Sequence, residues 1–189
     1  KTGFRHSLGG YQSLIGVTPD LSIFGKAVAN GYPMGVLGGK ESIMRYCADP
    51  DLSHRVMIAG TYNGHPMVVA AAIATLKKLK RLKSEIYSKL EDLGQHMETG
   101  LHGLLNSLDC PSTVVRQGSA FVVYFMDHPP NSWRDISMHN NTELDVKYRN
   151  KLIENGIFHF PVTTKQGSIS FAHTLEDINE TLEITQKVL

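Results

Sequence analysis

"PDLSIFGKAVANGYPMG", Pro19–Gly35, begins apolar, ends glycine-rich and places one lysine, Lys26, in a stretch with no other cation. Leu21 to Phe24 has the length and character of a short buried strand that ends at Gly25-Lys26. Lysine is rarely buried unless it is paired or used. Desolvation disfavours the ammonium, lowers its pKa and leaves a nucleophilic amine. Gly25 lets a large planar ligand approach the backbone, and the glycines at 31, 35, 38 and 39 allow tight turns beside it. A lysine that snorkels from a strand end to solvent has the same local sequence. On these residues alone both readings stand.

Further along, "AGTYNGHP" (Ala59–Pro66) sets a threonine hydroxyl and a run of backbone N–H groups just ahead of a helix. That arrangement suits a phosphate. Plain capping of the helix by Thr61 or Asn63 explains the same residues. An amine able to form an imine and a phosphate-suited helix start together point to one cofactor, pyridoxal phosphate.

Working outward, Met34 to Leu37 reads as a second short strand and Glu41 to Cys47 as a short helix. After Pro66, "MVVAAAIATLKKLKRLK" reads as a helix whose first half, apolar all round, is expected to be buried. A second helix is expected from about Ser84 to Leu108, with its stripe at Ile86, Leu90, Leu93, Met97, Leu101, Leu104, Leu105 and Leu108. "STVVRQGSAFVVYFM" (Ser112–Met126) reads as two strands joined at Gln117-Gly118, followed by a polar loop through Pro129-Pro130. Thr142 to Glu154 reads as a helix stopped by Asn155-Gly156. "IFHFP" and "GSISFA" read as short strands, and Thr174 with Asp177 forms a capping-box pattern before the last helix. The fold class is α/β, and the residues from about 85 onward form a small α+β unit of their own.

Composition is that of a globular protein: 189 residues, 41% hydrophobic and 20% charged, with a formal net charge of +1. Nothing in that balance argues for a nucleic-acid partner. The basic run Lys77, Lys78, Lys80, Arg81, Lys83 alternates with leucines at helical spacing and reads as a solvated helix face. Cys47 and Cys110 are isolated, the pattern of reduced cysteines in a cytoplasmic protein. No apolar run reaches the ~18 residues of a membrane span, and no signal peptide is recognised. His65, His159 and His173 lack metal-ligand spacing, so no metal is expected. The chain does not begin with Met and reads as part of a longer protein.

The segments "KTGFR", "GGYQ", "GVTPDLSIFGKAVANGYPMGVLGGKESIM", "GTYNGHP" and "SFAHTLEDINETLE" closely resemble, in this order, the class III pyridoxal-phosphate-dependent aminotransferases. The nearest branch is the one that holds glutamate-1-semialdehyde 2,1-aminomutase. The resemblance implies the C-terminal part of a fold type I transferase. Residues 1–82 would be the end of the large cofactor domain, and residues 83–189 the small α+β C-terminal domain. It implies that Lys26 is the Schiff-base lysine. It also implies that Gly60 and Thr61 bind the cofactor phosphate of a neighbouring subunit in a homodimer.

The family is roughly twice as long. Its pyridine-pairing Asp, ring-stacking aromatic and main phosphate loop would fall ahead of Lys1, so this chain alone is expected to be an incomplete catalyst. Two departures separate it from the aminomutases. Met57 stands where they carry an active-site Tyr, and Lys165, in "PVTTKQG", stands where they carry a Glu. Lys165 is therefore a candidate partner for a substrate carboxylate, and a surface lysine is the alternative. The expected activity is transfer of an amino group from an amino acid or amine to a keto or aldehyde acceptor. An aminomutase, or a non-catalytic remnant that folds and associates, remain as alternatives.

Overall fold

Strand β1, Leu21–Phe24, pairs antiparallel with β2, Val36–Gly39, so that Leu21 faces Gly39 and Ile23 faces Leu37. Both lie in a computed structural model that describes residues 3–189. Lys1 and Thr2, which open the "KTGFR" segment, lie outside the described residues. β2 begins two residues later than the sequence pattern suggests and takes in both glycines. Gly39 lies so close to the Asp20 carbonyl that a Cβ there would collide with it. A one-turn helix, Tyr11–Leu14 (α1), precedes β1, and its Gln12 amide oxygen accepts a hydrogen bond from Ser22 Oγ at 3.1 Å.

After β1 the chain makes a single 3-10 turn, Lys26–Ala29. Val28 and Ala29 bury against Ala72, with Phe4, Met34, Val36 and Val68 around them. Ala72 belongs to α3, Pro66–Arg81, which follows the short helix α2 (Glu41–Met44) and its 3-10 continuation through Cys47. The apolar first half of α3 is not buried all round: Met67 and Ile73 are exposed. One face packs on the 3-10 turn, and this stretch of chain has too few elements to cover the rest.

The next helix, α4, runs Lys83–Leu105. Its stripe Ile86, Leu90, Leu93, Met97, Leu101 and Leu105 is buried, as the 3.6-residue period requires. The chain divides into two compact units, Lys1–Tyr87 and Ser88–Leu189. The second unit contains the hairpin β3 (Thr113–Gln117) and β4 (Ala120–Tyr124), turning through Gly118 at φ 57°. Gly94 of α4 sits against the Gly118 carbonyl, where no Cβ fits.

The loop after β4 holds a helix that the sequence reading left as loop, α5 (Trp133–His139), capped by Ser132 Oγ, which accepts from Asp135 N at 3.2 Å. Helix α6 spans Thr142–Glu154, as its pattern predicts. The two expected strands that follow are corrected. Only Gly167–Ser168 (β5) pairs, with β4. Residues 157–161 form no ladder among the described residues, although their exposure alternates with the period of a strand. Helix α7, Leu175–Val188, starts with the predicted capping box of Thr174 and Asp177. No helix among the described residues is long and apolar enough to cross a membrane.

Candidate functional site

Lys26 stands two residues past the end of β1 and opens the 3-10 turn, with φ 49°. That is the left-handed region, which a residue with a Cβ enters only when its surroundings enforce it. Extended Gly25 (φ −150°) precedes it, buried Val28 (3% exposed) and Ala29 (0%) follow, and Asn30, also left-handed at φ 46°, closes the turn. The two buried residues act as a peg in α3, and the peg fixes the backbone from which Lys26 projects. The side chain is exposed, not buried as the strand-end reading requires of a desolvated amine. Among the described residues its ammonium has no hydrogen-bond or ion-pair partner.

Gly60 and Thr61 lie in the turn that leads into the same helix. Asn63 N donates to Gly60 O at 3.0 Å and His65 N to Tyr62 O at 3.2 Å. Neither Thr61 nor Asn63 caps α3. The capping position belongs to His65, which makes no side-chain bond, and Pro66 takes the first helical position. The capping explanation for "AGTYNGHP" is therefore not what the structure uses. The Thr61 hydroxyl is exposed and has no partner among the described residues. Beside this turn a cavity of about 350 Å³ is lined by Tyr32, Pro33, Tyr62, His65, Met67 and Val68.

In the second unit, Lys165 sits on a loop held by a buried ion pair. Asp145 and Arg149, one helical turn apart on α6, are 0% and 1% exposed. Arg149 Nε donates to Asp145 Oδ1 at 2.6 Å, and Arg149 Nη1 donates to the Lys165 carbonyl at 2.7 Å. The other Asp145 oxygen accepts from Thr163 Oγ1 at 2.7 Å and from Thr164 N at 2.6 Å, which holds Thr164 at φ 60°. These four hydrogen bonds serve either the ion pair itself or this loop. The Lys165 ammonium itself is exposed and stacks over the Phe160 ring, 5.3 Å from its centre. Nearby, burial pushes the His159 imidazole down to about 4, with the Arg149 charge adding to the effect.

The sequence reading missed the Asp145–Arg149 pair, whose only trace is an i, i+4 opposite-charge spacing that surface helices share. It also missed His128, Asp135 and His139, which converge at α5. His173, just before α7, accepts at Nδ1 from Ser170 N at 3.0 Å. Lys26, Gly60 and Thr61 fall in the first unit and Lys165 in the second.

The model of the family described as aminotransferase class-III matches residues 2–189. A glutamate-1-semialdehyde 2,1-aminomutase of Natranaerobius thermophilus is 36% identical over 188 residues, which is 100% of this chain and 42% of that protein. This chain thus spans well under half the length of the curated relatives it matches. Among solved structures, a transaminase with PLP bound matches 98% of the chain, and 41% of its own, at TM-score 0.79 and 25% identity. A glutamate-1-semialdehyde-aminomutase from Pseudomonas aeruginosa PAO1 matches 98% of the chain, and 42% of its own, at TM-score 0.84 and 21% identity, a likeness of fold.

Proposed function

Because this chain belongs to the class-III aminotransferases, a family that works with pyridoxal phosphate, we propose that it carries the anchoring lysine, Lys26, of an enzyme that moves an amino group between small molecules. The observation that carries this reading is the backbone at Lys26. A left-handed non-glycine residue is disfavoured by about 1–2 kcal/mol, and such residues gather at functional sites. Here the strain sits on a lysine two residues past the end of β1, and its ammonium has no hydrogen-bond or ion-pair partner among the described residues.

The residues present fit the aldehyde end of the cofactor: an uncommitted primary amine on a pegged turn. Bound pyridoxal phosphate supplies an aldehyde that condenses with amines and a ring that takes up the electron pair left at the substrate α-carbon. Lys26 would hold the cofactor through its Nζ and, once released from it, would serve as the base that moves the proton at the substrate α-carbon. Fixing the backbone of residues 25–30 limits the arc through which Nζ swings. Gly60 and Thr61 offer a hydroxyl and N–H groups to a phosphate. In line with the family resemblance, they serve the neighbouring copy of a homodimer. Residues 83–189 form the small domain, and the enzyme is cytoplasmic. Lys165 pairs with a substrate carboxylate; in support, its ammonium has no carboxylate partner among the described residues.

The preferred reaction is transamination between an amino donor and a keto or aldehyde acceptor. Met57 and Lys165, where aminomutases resemble one another and this chain departs, support it. The second reading, an aminomutase, is favoured by the name of the 36% identical relative. Product analysis separates them, because only transamination releases a keto product and needs a second acceptor.

The test is a visible spectrum of the purified chain with added pyridoxal phosphate, then borohydride reduction and peptide mapping. A yellow band and a reduced adduct on Lys26, absent in Lys26→Ala, are expected. Labelling spread evenly over the lysines, or none at Lys26, overturns the assignment of that lysine. In the active enzyme, Lys165→Glu raises the KM for a carboxylated donor and leaves kcat within a few-fold.

A further inference from the structure

We propose that His128, Asp135 and His139 form a binding site for one divalent transition-metal ion of the zinc type. Three potential donor atoms, one from each residue, lie within 4.8 Å of one another. His139 Nδ1 is 2.8 Å from Asp135 Oδ1, and His128 Nε2 is 3.0 Å from the same oxygen and 3.2 Å from Oδ2. A tetrahedral zinc ion with bonds of about 2.0–2.1 Å sets neighbouring ligand atoms about 3.3 Å apart. The two histidine–Asp135 edges are within about half an ångström of that spacing, and the two imidazole nitrogens lie within 4.8 Å of one another.

Two of the three ligands are oriented from behind, and His139 Nδ1 also lies 3.1 Å from the Asp135 carbonyl oxygen. Asp135 and His139 are one turn apart on α5, so the helix presents both on one face. Asp135 Oδ2 accepts from Asn131 N at 2.9 Å, which leaves Oδ1 for the shared centre. His128 lies in the loop after β4, and its Nδ1 is 2.6 Å from Asp127 Oδ1. A carboxylate on the far ring nitrogen fixes the tautomer that turns Nε2 toward a metal, the arrangement common to zinc-binding histidines. The two imidazole rings meet edge to face, 5.2 Å between centres.

Two imidazoles and one carboxylate are a donor set for zinc, cobalt, nickel or copper, not for calcium or magnesium. Three protein ligands leave the fourth position to water. A cavity of about 340 Å³ with Asp127, His139 and Cys110 in its wall adjoins the cluster. The alternative is a purely structural knot, in which one carboxylate ties two imidazoles and closes the loop between β4 and α6.

The experiment is a calorimetric titration of the chelator-treated full chain with Zn²⁺, repeated with Co²⁺ to read its visible ligand-field bands. One ion per chain, with a dissociation constant in the micromolar range or below, is expected. His128→Ala and His139→Ala should each weaken binding at least a hundredfold. Asp127→Asn should weaken it about tenfold to a hundredfold. His54→Ala, an exposed histidine elsewhere, should leave it unchanged. Should either alanine variant fail to fold by circular dichroism, His139→Gln replaces it. No saturable binding overturns the site in favour of the structural knot. So does binding that survives both histidine substitutions, or Co²⁺ bands unchanged by them.

Discussion

The unit up to Tyr87 leaves Ile23 82%, Met57 85% and Tyr62 81% exposed, whereas the unit from Ser88 holds Leu101, Leu152 and Ile178 at 2% or less. The difference is one of construction. In the second unit a helix stripe, a hairpin and two further helices each turn an apolar face to one core. In the first, the core is Val28, Ala29 and Ala72 with a ring of half-buried neighbours, and the β1–β2 pair is apolar on both faces. Phe24 and Val36 point one way, and Leu21, Ile23 and Leu37 the other. A strand pair apolar on both faces is what a sheet covered on both sides provides. The residue that carries the proposed chemistry, Lys26, thus stands on the less self-sufficient unit.

The largest effect should come from separating the two. Residues 83–189, expressed alone with α4 intact, should unfold in urea in one cooperative transition. Residues 1–82 alone should show no sigmoidal transition and poorly dispersed amide resonances. A cooperative transition in 1–82 would erase the contrast drawn from burial.

Next in size is the buried pair of the second unit. Asp145→Ala leaves the Arg149 guanidinium without its counter-charge at 1% exposure and should cost about 3–5 kcal/mol. Asp145→Leu combined with Arg149→Met should recover part of that loss, because no charge is then left unpaired. Urea unfolding of the three proteins measures both. A loss below about 1 kcal/mol for the single variant would show that water reaches the pair.

A smaller effect follows from His159, whose imidazole is held neutral down to about 4 by burial and by Arg149. Its folded pKa lies below the unfolded value of about 6.5, so in that window the unfolded chain binds the extra proton. Stability from this residue is complete above about pH 6.5 and is lost as the pH falls toward 4, by about 3 kcal/mol. Asp145 acts in the opposite sense, so the depression is what remains after its pull. Urea midpoints measured between pH 7 and 4 should fall more steeply for the parent than for His159→Gln.

What the sequence showed in advance follows the same division. Helices α4, α6 and α7 were readable because their stripes, stops and capping box are local and the second unit buries them. The burial of α3 was misjudged because its apolar first half calls for neighbours that this stretch of chain does not contain. Strands were harder. "IFHFP" has the composition of a strand, but a strand exists only when a partner accepts its hydrogen bonds, and composition does not name partners. Helix α5 was missed because prolines and a polar run masked a Ser132–Asp135 cap. At the candidate site, the sequence singles out Lys26 by its position near a strand end. It does not show the left-handed backbone or the peg on α3, since both depend on Ala72, far along the chain. The His128, Asp135 and His139 cluster needed α5 to exist before its spacing meant anything.

The smallest expected effect is the sharpest check on the first unit. Ile23 points away from the core of Val28, Ala29 and Ala72 and is 82% exposed. Ile23→Ser therefore removes little buried area and should change the urea stability of this chain by less than about 0.5 kcal/mol. A buried isoleucine truncated to a small residue costs about 2–5 kcal/mol, the loss expected at Ile178, which is 2% exposed. If Ile23→Ser instead costs more than about 1 kcal/mol, the outer face of β1–β2 is covered in solution. The parent's unfolding midpoint would then shift with protein concentration if a second copy supplies the cover. A midpoint that ignores both the substitution and the concentration leaves that face bare, and the contrast between the two units then rests on what each can bury by itself.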